Sequence, residues 1–196
     1  MMRILAAALV SALVAISPAP ATAAGKGSGS TGSAEAQGPG GAGAPGAVVG
    51  VVLAQAGGTL TLLARGNTLL TVIIAGTAAV SGASGKRSPR DNGIARASVI
   101  EVAGPRNSDG SLSAQKVAVL FDARGAPRAS GRIARPAQDG GLVLTDGTVV
   151  ELGDDVWILR GTSLVTVGAL TPGVAVTVYG TARGGRLVAR VIEVSL

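Results

Sequence analysis

The residues of this sequence that are most suggestive of chemistry are a short group of carboxylates. Asp154 and Asp155 are adjacent, and Glu151 precedes them by three residues. A Ca²⁺ site takes about six to eight oxygen ligands, usually from a spaced acidic loop, so this pattern is more typical of a turn than of a metal site. A hydrolase would need carboxylates or a serine assembled from distant residues, and that alternative stays open.

Nucleophilic chemistry is restricted by what the chain lacks. It contains no Cys and no His, which excludes a thiolate nucleophile, a Cys/His zinc site, a disulfide and a Ser-His-Asp triad. A Ser-Lys pair would need a desolvated lysine. However, Lys26 lies in a low-complexity segment, Lys86 in a polar loop, and Lys116 on the expected outer face of a strand. We therefore predict that the protein is not an enzyme and has no catalytic residue, cofactor or metal.

Basic residues offer the clearest candidates for binding. The chain has 17 Lys and Arg residues against 11 Asp and Glu, a net charge of +6, and 14 of the 17 are Arg. Arg makes planar, bidentate contacts with phosphate and carboxylate groups. The anion-binding candidates, in one polar loop and just after it, are Lys86, Arg87, Arg90 and Arg96. A purely solvated loop is the simpler interpretation of these residues, and an anionic polymer or oligosaccharide is the ligand that they would bind in the alternative.

The aromatic residues are Phe121, Trp157 and Tyr179. Trp157 stands among apolar neighbours and is most simply a core residue, whereas Tyr179 falls on the face of its strand opposite the valines. If Trp157 and Tyr179 met on one surface, they could stack against a sugar or another cyclic ligand. Proteins bind single-stranded nucleic acid in basic grooves that contain several stacking aromatic residues. Because this chain has only three aromatic residues, nucleic acid is not expected as a partner.

The beginning of the chain has the pattern of a secretory signal peptide, which we assign to residues 1–23. Arg3 precedes an uncharged apolar run of 13 residues from Ile4 to Ile16, and Ala21-Thr22-Ala23 forms a small-x-small cleavage site. A helix of that length rises about 20 Å, short of the roughly 30 Å hydrocarbon core, so we expect no stable membrane insertion. The mature protein is expected in the periplasm or the extracellular space, with residues 24–46 as a flexible Gly-, Ala-, Ser- and Pro-rich linker.

The rest of the chain contains an internal repeat. Residues 94–104 match residues 170–180 at an offset of 76, and residues 112–119 match residues 187–194 at an offset of 75. Apolar residues at every second position, in short segments separated by Gly-rich turns, predict strands with one buried face. We therefore predict an all-β fold of two tandem five-stranded OB-like small barrels. The predicted modules are residues 47–122 and 128–196.

One segment of the first module is unusually apolar. Leu69–Ile74 carries no charge and no Pro. Because such a run is prone to aggregate when exposed, we expect it inside the sheet or at a protein interface.

The strand-and-turn pattern of both copies resembles a known family. The motifs V-x-G-x-V, G-G-x-L-x-L, L-x-x-G-x-x-V-x-V-x-G and D-G-x-L-x-A-x-x-V are similar to those of an uncharacterised, domain-of-unknown-function family of small all-β modules in exported bacterial proteins. The first copy departs from the pattern, because Ala97 replaces the Gly and a charged segment is inserted. The resemblance implies the fold and export, and it carries no catalytic residue.

These observations predict a structural or interaction module of the bacterial cell envelope. Its expected partner is an envelope protein or an anionic polysaccharide.

Overall fold

The computed structural model describes residues 46–82, 94–136 and 140–195. The predicted signal peptide, the predicted linker up to residue 45, and Lys86, Arg87 and Arg90 lie outside these ranges.

The first barrel consists of β1 (Gly46–Ala56), β2 (Thr59–Ala64), β3 (Thr68–Gly82), β4 (Val99–Gly104) and β5 (Leu112–Phe121). The second consists of β6 (Arg128–Pro136), β7 (Leu142–Leu144), β8 (Val149–Arg160), β10 (Ala175–Arg183) and β11 (Arg186–Val194), with a two-residue strand β9 (Ser163–Leu164) and a short 3-10 helix (Val167–Ala169) between β8 and β10.

Both barrels have the same strand order. The first closes in the order β1-β2-β3-β5-β4, and β4 returns to β1; the second runs β6-β7-β8-β11-β10, and β10 returns to β6. All these pairings are antiparallel except β3 with β5 and β8 with β11, which are parallel. The prediction of two tandem five-stranded barrels is therefore confirmed.

Alternation along the strands gives each barrel its own core. In β10, Val176 and Val178 point inward and are buried, whereas Thr177 and Tyr179 on the outer face are only partly buried. The core of the first barrel is likewise filled by aliphatic residues such as Leu60, Leu62 and Ile100. A strand that covers a core on one side must show this period of two.

The duplication extends to an irregularity of the sheet. In the first barrel, residues 75–78 of β3 lie opposite Gln115 alone, and in the second barrel residues 153–156 of β8 lie opposite Arg190 alone. Asp154 and Asp155 therefore belong to this bulge within β8, not to the turn that the sequence predicted. A bulge changes the direction of the side chains that it carries, which matters for the site described below.

The loop before the fourth strand also repeats. Val52 exchanges backbone hydrogen bonds with Ser98 and Ala97, both at 2.9 Å, and Ile133 does the same with Val174 at 2.9 Å and Gly173 at 2.8 Å. The equivalent residues Ala97 and Gly173 both have positive φ, +64° and +86°. Gly adopts this conformation freely, whereas Ala does so at a cost of about 1 kcal/mol.

One glycine in each copy is required by a close approach of two strands. A β-carbon on Gly104 would clash with the carbonyl oxygen of Ser113, and one on Gly180 would clash with the carbonyl oxygen of Val188. Both obstacles are backbone atoms, which cannot turn aside. The start of β5 or β11 would have to separate from its neighbour to admit any larger residue.

Two turns, one in each barrel, each hold a carboxylate by hydrogen bonds to the residue two positions later. Asp109 Oδ1 accepts hydrogen bonds from the Ser111 hydroxyl at 2.6 Å and the Ser111 amide at 2.9 Å. Asp146 Oδ1 accepts one from the Thr148 amide at 2.9 Å. Because these bonds stabilise the charged form, the pKa of each carboxyl lies below its ordinary value of 3.8.

We expect Gly104→Ala and Gly180→Ala each to lower the free energy of unfolding by at least about 3 kcal/mol, because the added methyl overlaps backbone atoms. Urea denaturation measures this change. Gly153→Ala is the matched control, since its β-carbon would lie 4.0 Å from the nearest atom, the Ala189 carbonyl oxygen, and it should stay within about 0.5 kcal/mol of the wild type. Equal effects at Gly104 and Gly153 would contradict the close approach.

We also expect stability to fall with acid through these two turns. Because the folded-state pKa values of Asp109 and Asp146 are lowered, their contribution is present above about pH 3.8 and is lost as the pH falls through those folded-state values. Urea titrations at pH 6 and pH 3 should show a smaller acid loss in the Asp109→Asn/Asp146→Asn double variant than in the wild type. Asp154→Asn, at an exposed carboxylate, is the control, and an unchanged acid loss in the double variant would refute this role.

Candidate functional site

Several strands bury side chains on both faces. On β1, Val52 points into the core of the first barrel, whereas Val51 and Leu53 point out of it. On β8, Ile158 points inward, and Trp157 and Leu159 point outward. These outward residues form a third apolar cluster between the barrels, which we call the seam. The seam consists of Val51, Leu53, Leu63, Ala97, Val99, Trp157, Leu159 and Val191.

Both predicted stacking residues lie on the face of the second barrel that forms the seam. Val191 is paired with Trp157 on one side and with Tyr179 on the other, so the two aromatics flank it in one row. Trp157 is only 4% exposed, and Tyr179 is half-buried against the seam. Trp157 is thus a packing residue, although the core that it fills lies between the barrels. Stacking of the two rings on a ligand stays a prediction.

The turn between β2 and β3 attaches the first barrel to the second. The side-chain amide of Asn67 donates to the carbonyl oxygen of Leu164 at 3.3 Å, and its carbonyl accepts from the Leu164 amide. Asn67 therefore pairs with β9 as a neighbouring strand would. Its backbone has φ +60°, a conformation in which Asn is favoured among residues other than Gly.

Arg96 forms the second polar attachment across the seam. Its Nε donates to Glu193 Oε1 of β11 at 2.9 Å, and its Nη1 donates to the Leu53 carbonyl at 2.8 Å. Leu53 is the unpaired residue of a bulge between β1 and β2, so its carbonyl is available. Arg96 was an anion-binding candidate, and the structure places two of its nitrogens in contacts within the protein. Binding of an anion by Arg96 stays a prediction.

The two barrels meet through different faces. The residues that the second barrel contributes to the seam, and Tyr179 beside them, are apolar or aromatic, but their equivalents on the first barrel are small or charged and at least partly exposed. The pairs are Trp157 with Ala79, Val191 with Lys116, and Tyr179 with Ala103. The seam residues of the first barrel likewise correspond to small or polar residues of the second barrel that are at least partly exposed. The pairs are Val51 with Arg132, Leu63 with Thr145, and Val99 with Ala175. A contact that uses different faces of two similar units can repeat and add further units. Here the face of each barrel that points away from the seam lacks the apolar residues that such a further contact would need.

An open cleft of about 380 Å³ runs along the edge of the seam. Its apolar wall comes from the first barrel and includes the exposed side chains of Val49 (38% exposed) and Leu120 (54% exposed). The second barrel contributes Trp157 and two charged residues, Asp155 and Arg190, which come from the bulge shared by β8 and β11. Each side of the cleft is therefore supplied by one barrel.

Two guanidinium groups give the cleft its chemistry. Arg65 lies over the indole of Trp157, with its Cζ 4.6 Å from the ring centroid, a cation–π contact that orients the group. Arg190 has no ion-pair or side-chain hydrogen-bond partner among the described residues. A guanidinium donates hydrogen bonds in a planar fork and stays protonated, so this pair is suited to binding an anion and not to transferring a proton.

A second exposed surface lies on the outer face of β3. Leu70 and Val72 of the segment Leu69–Ile74 point into the barrel and the segment pairs with β2, so the segment lies within the sheet as predicted. Its outward side chains Leu69 and Ile73 are 52% and 42% exposed beside the Asp109 turn. The predicted protein interface at this face is not tested by the fold.

Within residues 46–82, 94–136 and 140–195, no three Asp or Glu side chains lie together where they could hold a metal ion. In the same ranges, no helix has the length and apolar character needed to cross a bilayer. No family model matches the chain, and a comparison with curated proteins finds no match. The resemblance to an uncharacterised family therefore stays a prediction.

We expect Arg96→Ser to lower the free energy of unfolding by about 1–2 kcal/mol, because it removes a charge-assisted bond to Leu53 and an ion pair that is partly screened by solvent. Glu193→Gln should cost less than about 1 kcal/mol. A double-mutant cycle measured by thermal and urea denaturation gives the coupling between them.

Arg106→Ser is the matched control, since this exposed arginine has no side-chain partner among the described residues. A comparison of Arg96→Ser with Arg106→Ser also distinguishes the two roles considered for Arg96, attachment of one barrel to the other and binding of an anion. If Arg96 acts only as an attachment between the barrels, Arg96→Ser and Arg106→Ser will elute from a heparin column at the same salt concentration. Additive effects of Arg96→Ser and Glu193→Gln on stability would contradict the attachment.

Proposed function

We propose that this protein is an exported, non-enzymatic interaction module of the bacterial cell envelope. The observation that carries the proposal is the cleft at the seam, which is built from both barrels and presents two protonated guanidinium groups beside an apolar wall. Such groups hold and orient a partner without changing it chemically. The functional unit is accordingly the pair of barrels.

The way the barrels are joined supports this proposal. The seam, the Asn67 amide and the Arg96–Glu193 ion pair hold surfaces from both barrels in a fixed relation. Binding surfaces on a rigid scaffold lose little conformational entropy when a partner binds. A duplicated barrel that is locked in this way is suited to presenting surfaces to a partner.

Export is supported by the sequence alone. Arg3, the apolar run that follows it and the Ala21-Thr22-Ala23 site have the order of a secretory signal peptide. The absence of Cys from the whole chain means that its stability does not depend on the oxidising conditions of an exported compartment.

An anionic polymer is the second candidate partner. Arg65 and Arg190 add two basic groups to the candidates Lys86, Arg87, Arg90 and Arg96, in a chain of net charge +6. In this alternative, retention of the protein on a polyanion falls steeply with salt, since counterions are released on binding.

Expression of the full chain in a bacterial host tests export. We expect the protein in the periplasm or the medium, with Ala24 as its first residue by intact-mass analysis. Ala23→Gln should leave the precursor uncut, because the residue before the cleavage site must be small. Thr22→Gln is the matched control at the tolerant position, and it should be processed normally.

Two results would contradict the proposed function. One is an uncut protein in the cytoplasm with the wild-type sequence. The other is turnover of ester, glycoside or peptide substrates by the purified mature protein, if that turnover is lost in Asp155→Asn, which removes the carboxylate of the cleft.

A further inference from the structure

We propose that the cleft at the seam binds a small amphipathic carboxylate, a linear aliphatic chain that ends in one carboxylate group. The carboxylate lies between Arg65 and Arg190, and the chain lies against Val49 and Leu120. The inference deepens the proposed function, because it rests on binding without turnover and names the ligand class of that site.

Charge defines one end of the ligand. The cleft contains the guanidinium groups of Arg65 and Arg190 and one carboxylate, Asp155. None of these three groups forms an ion pair with another in the described part of the chain. The cleft therefore has an excess of one positive charge, which a single anion neutralises. A carboxylate matches the planar fork of a guanidinium and accepts two parallel hydrogen bonds from it.

The apolar wall defines the other end. Leu120 and Val49 are exposed apolar side chains, and both face the same cleft. An aliphatic chain gains free energy by covering them, whereas a sugar would place hydroxyl groups against a wall that offers no hydrogen bonds. The indole of Trp157 is 4% exposed and has Arg65 over its ring, so it offers no free face on which a sugar could stack.

Size restricts the ligand to a small molecule. A cleft of about 380 Å³ lies at the lower end of the range of small-ligand sites, about 300–1,000 Å³. The observations thus favour one short chain over a polymer or a protein segment.

Two of the three charged residues of the cleft come from a bulge that is charged only in the second copy. Asp155 and Arg190 occupy the bulge of β8 and β11, and the equivalent bulge of the first barrel carries Thr77 and Gln115. Both bulges have the same shape of pairing, but only the one that faces the seam carries charge. The duplication therefore accounts for the geometry of the bulge, and the charged residues at these two positions account for recognition of the ligand's carboxylate.

The test uses octanoate as the probe and the purified mature chain. Trp157 is the single tryptophan of the chain and lies in the cleft, so its fluorescence reports on binding directly. We expect a saturable change in emission with octanoate. Across hexanoate, heptanoate and octanoate, the affinity should rise roughly fourfold per methylene, which corresponds to about 0.8 kcal/mol for each group buried.

Variants at the two ends of the ligand separate its two contributions. Arg190→Gln should weaken octanoate binding at least tenfold, and Leu120→Asn should reduce the gain per methylene. Both residues are exposed, so neither change is expected to unfold the protein. Arg183→Gln is the matched control, since it removes the same charge from an exposed position of β10 away from the cleft, and it should bind octanoate as the wild type does.

Three outcomes of the direct binding titrations would overturn the inference. They are no saturable change with octanoate, equal affinity for 1-octanol and octanoate, and unchanged binding in Arg190→Gln. Displacement of octanoate by galacturonate at equal concentration would also overturn it, because the site would then recognise charge alone. These failures leave the export and turnover experiments unaffected, so loss of the ligand class and loss of the proposed function can be distinguished.

Discussion

The apolar contact between the two barrels is the constraint on which the rest of the structure depends. A strand of a small barrel normally buries one face and exposes the other. Here β1, β2, β8 and β11 bury both, the inner face in a barrel core and the outer face in the seam. The Asn67 amide and the Arg96–Glu193 pair lie around this contact and fix the position of one barrel relative to the other.

The candidate site is a consequence of that contact. The cleft exists because a convex barrel cannot cover another completely, and the uncovered margin places the apolar wall of the first barrel opposite the bulge of the second. The contact also uses different faces of two similar copies. Lys116 and Ala103 on one outer end, and Arg132 and Thr145 on the other, replace the apolar residues that a third barrel would need.

Much of the fold follows from local patterns. The offset repeat predicts the duplication, the period-two alternation predicts the strands, and the Gly residues mark the corners. The interpretation of Asp154-Asp155 as a turn was wrong, because a strand bulge and a turn share the same polar residues and differ only in what pairs beside them. The continuous apolar runs Val51-Val52-Leu53 and Trp157-Ile158-Leu159 are a signal of burial on both faces, which the period-two alternation alone does not reveal.

By itself, the sequence determined the class of fold, the number of copies and the types of chemistry open to the chain, since these depend on residue type and on spacing along one strand. Only the tertiary structure decided what the outward side chains do. Trp157 and Tyr179 share a face because β11 lies between their strands, and Arg65 reaches Trp157 because the barrels are packed together. These neighbours are far apart in sequence, and no local periodicity encodes a contact that depends on how two closed barrels meet.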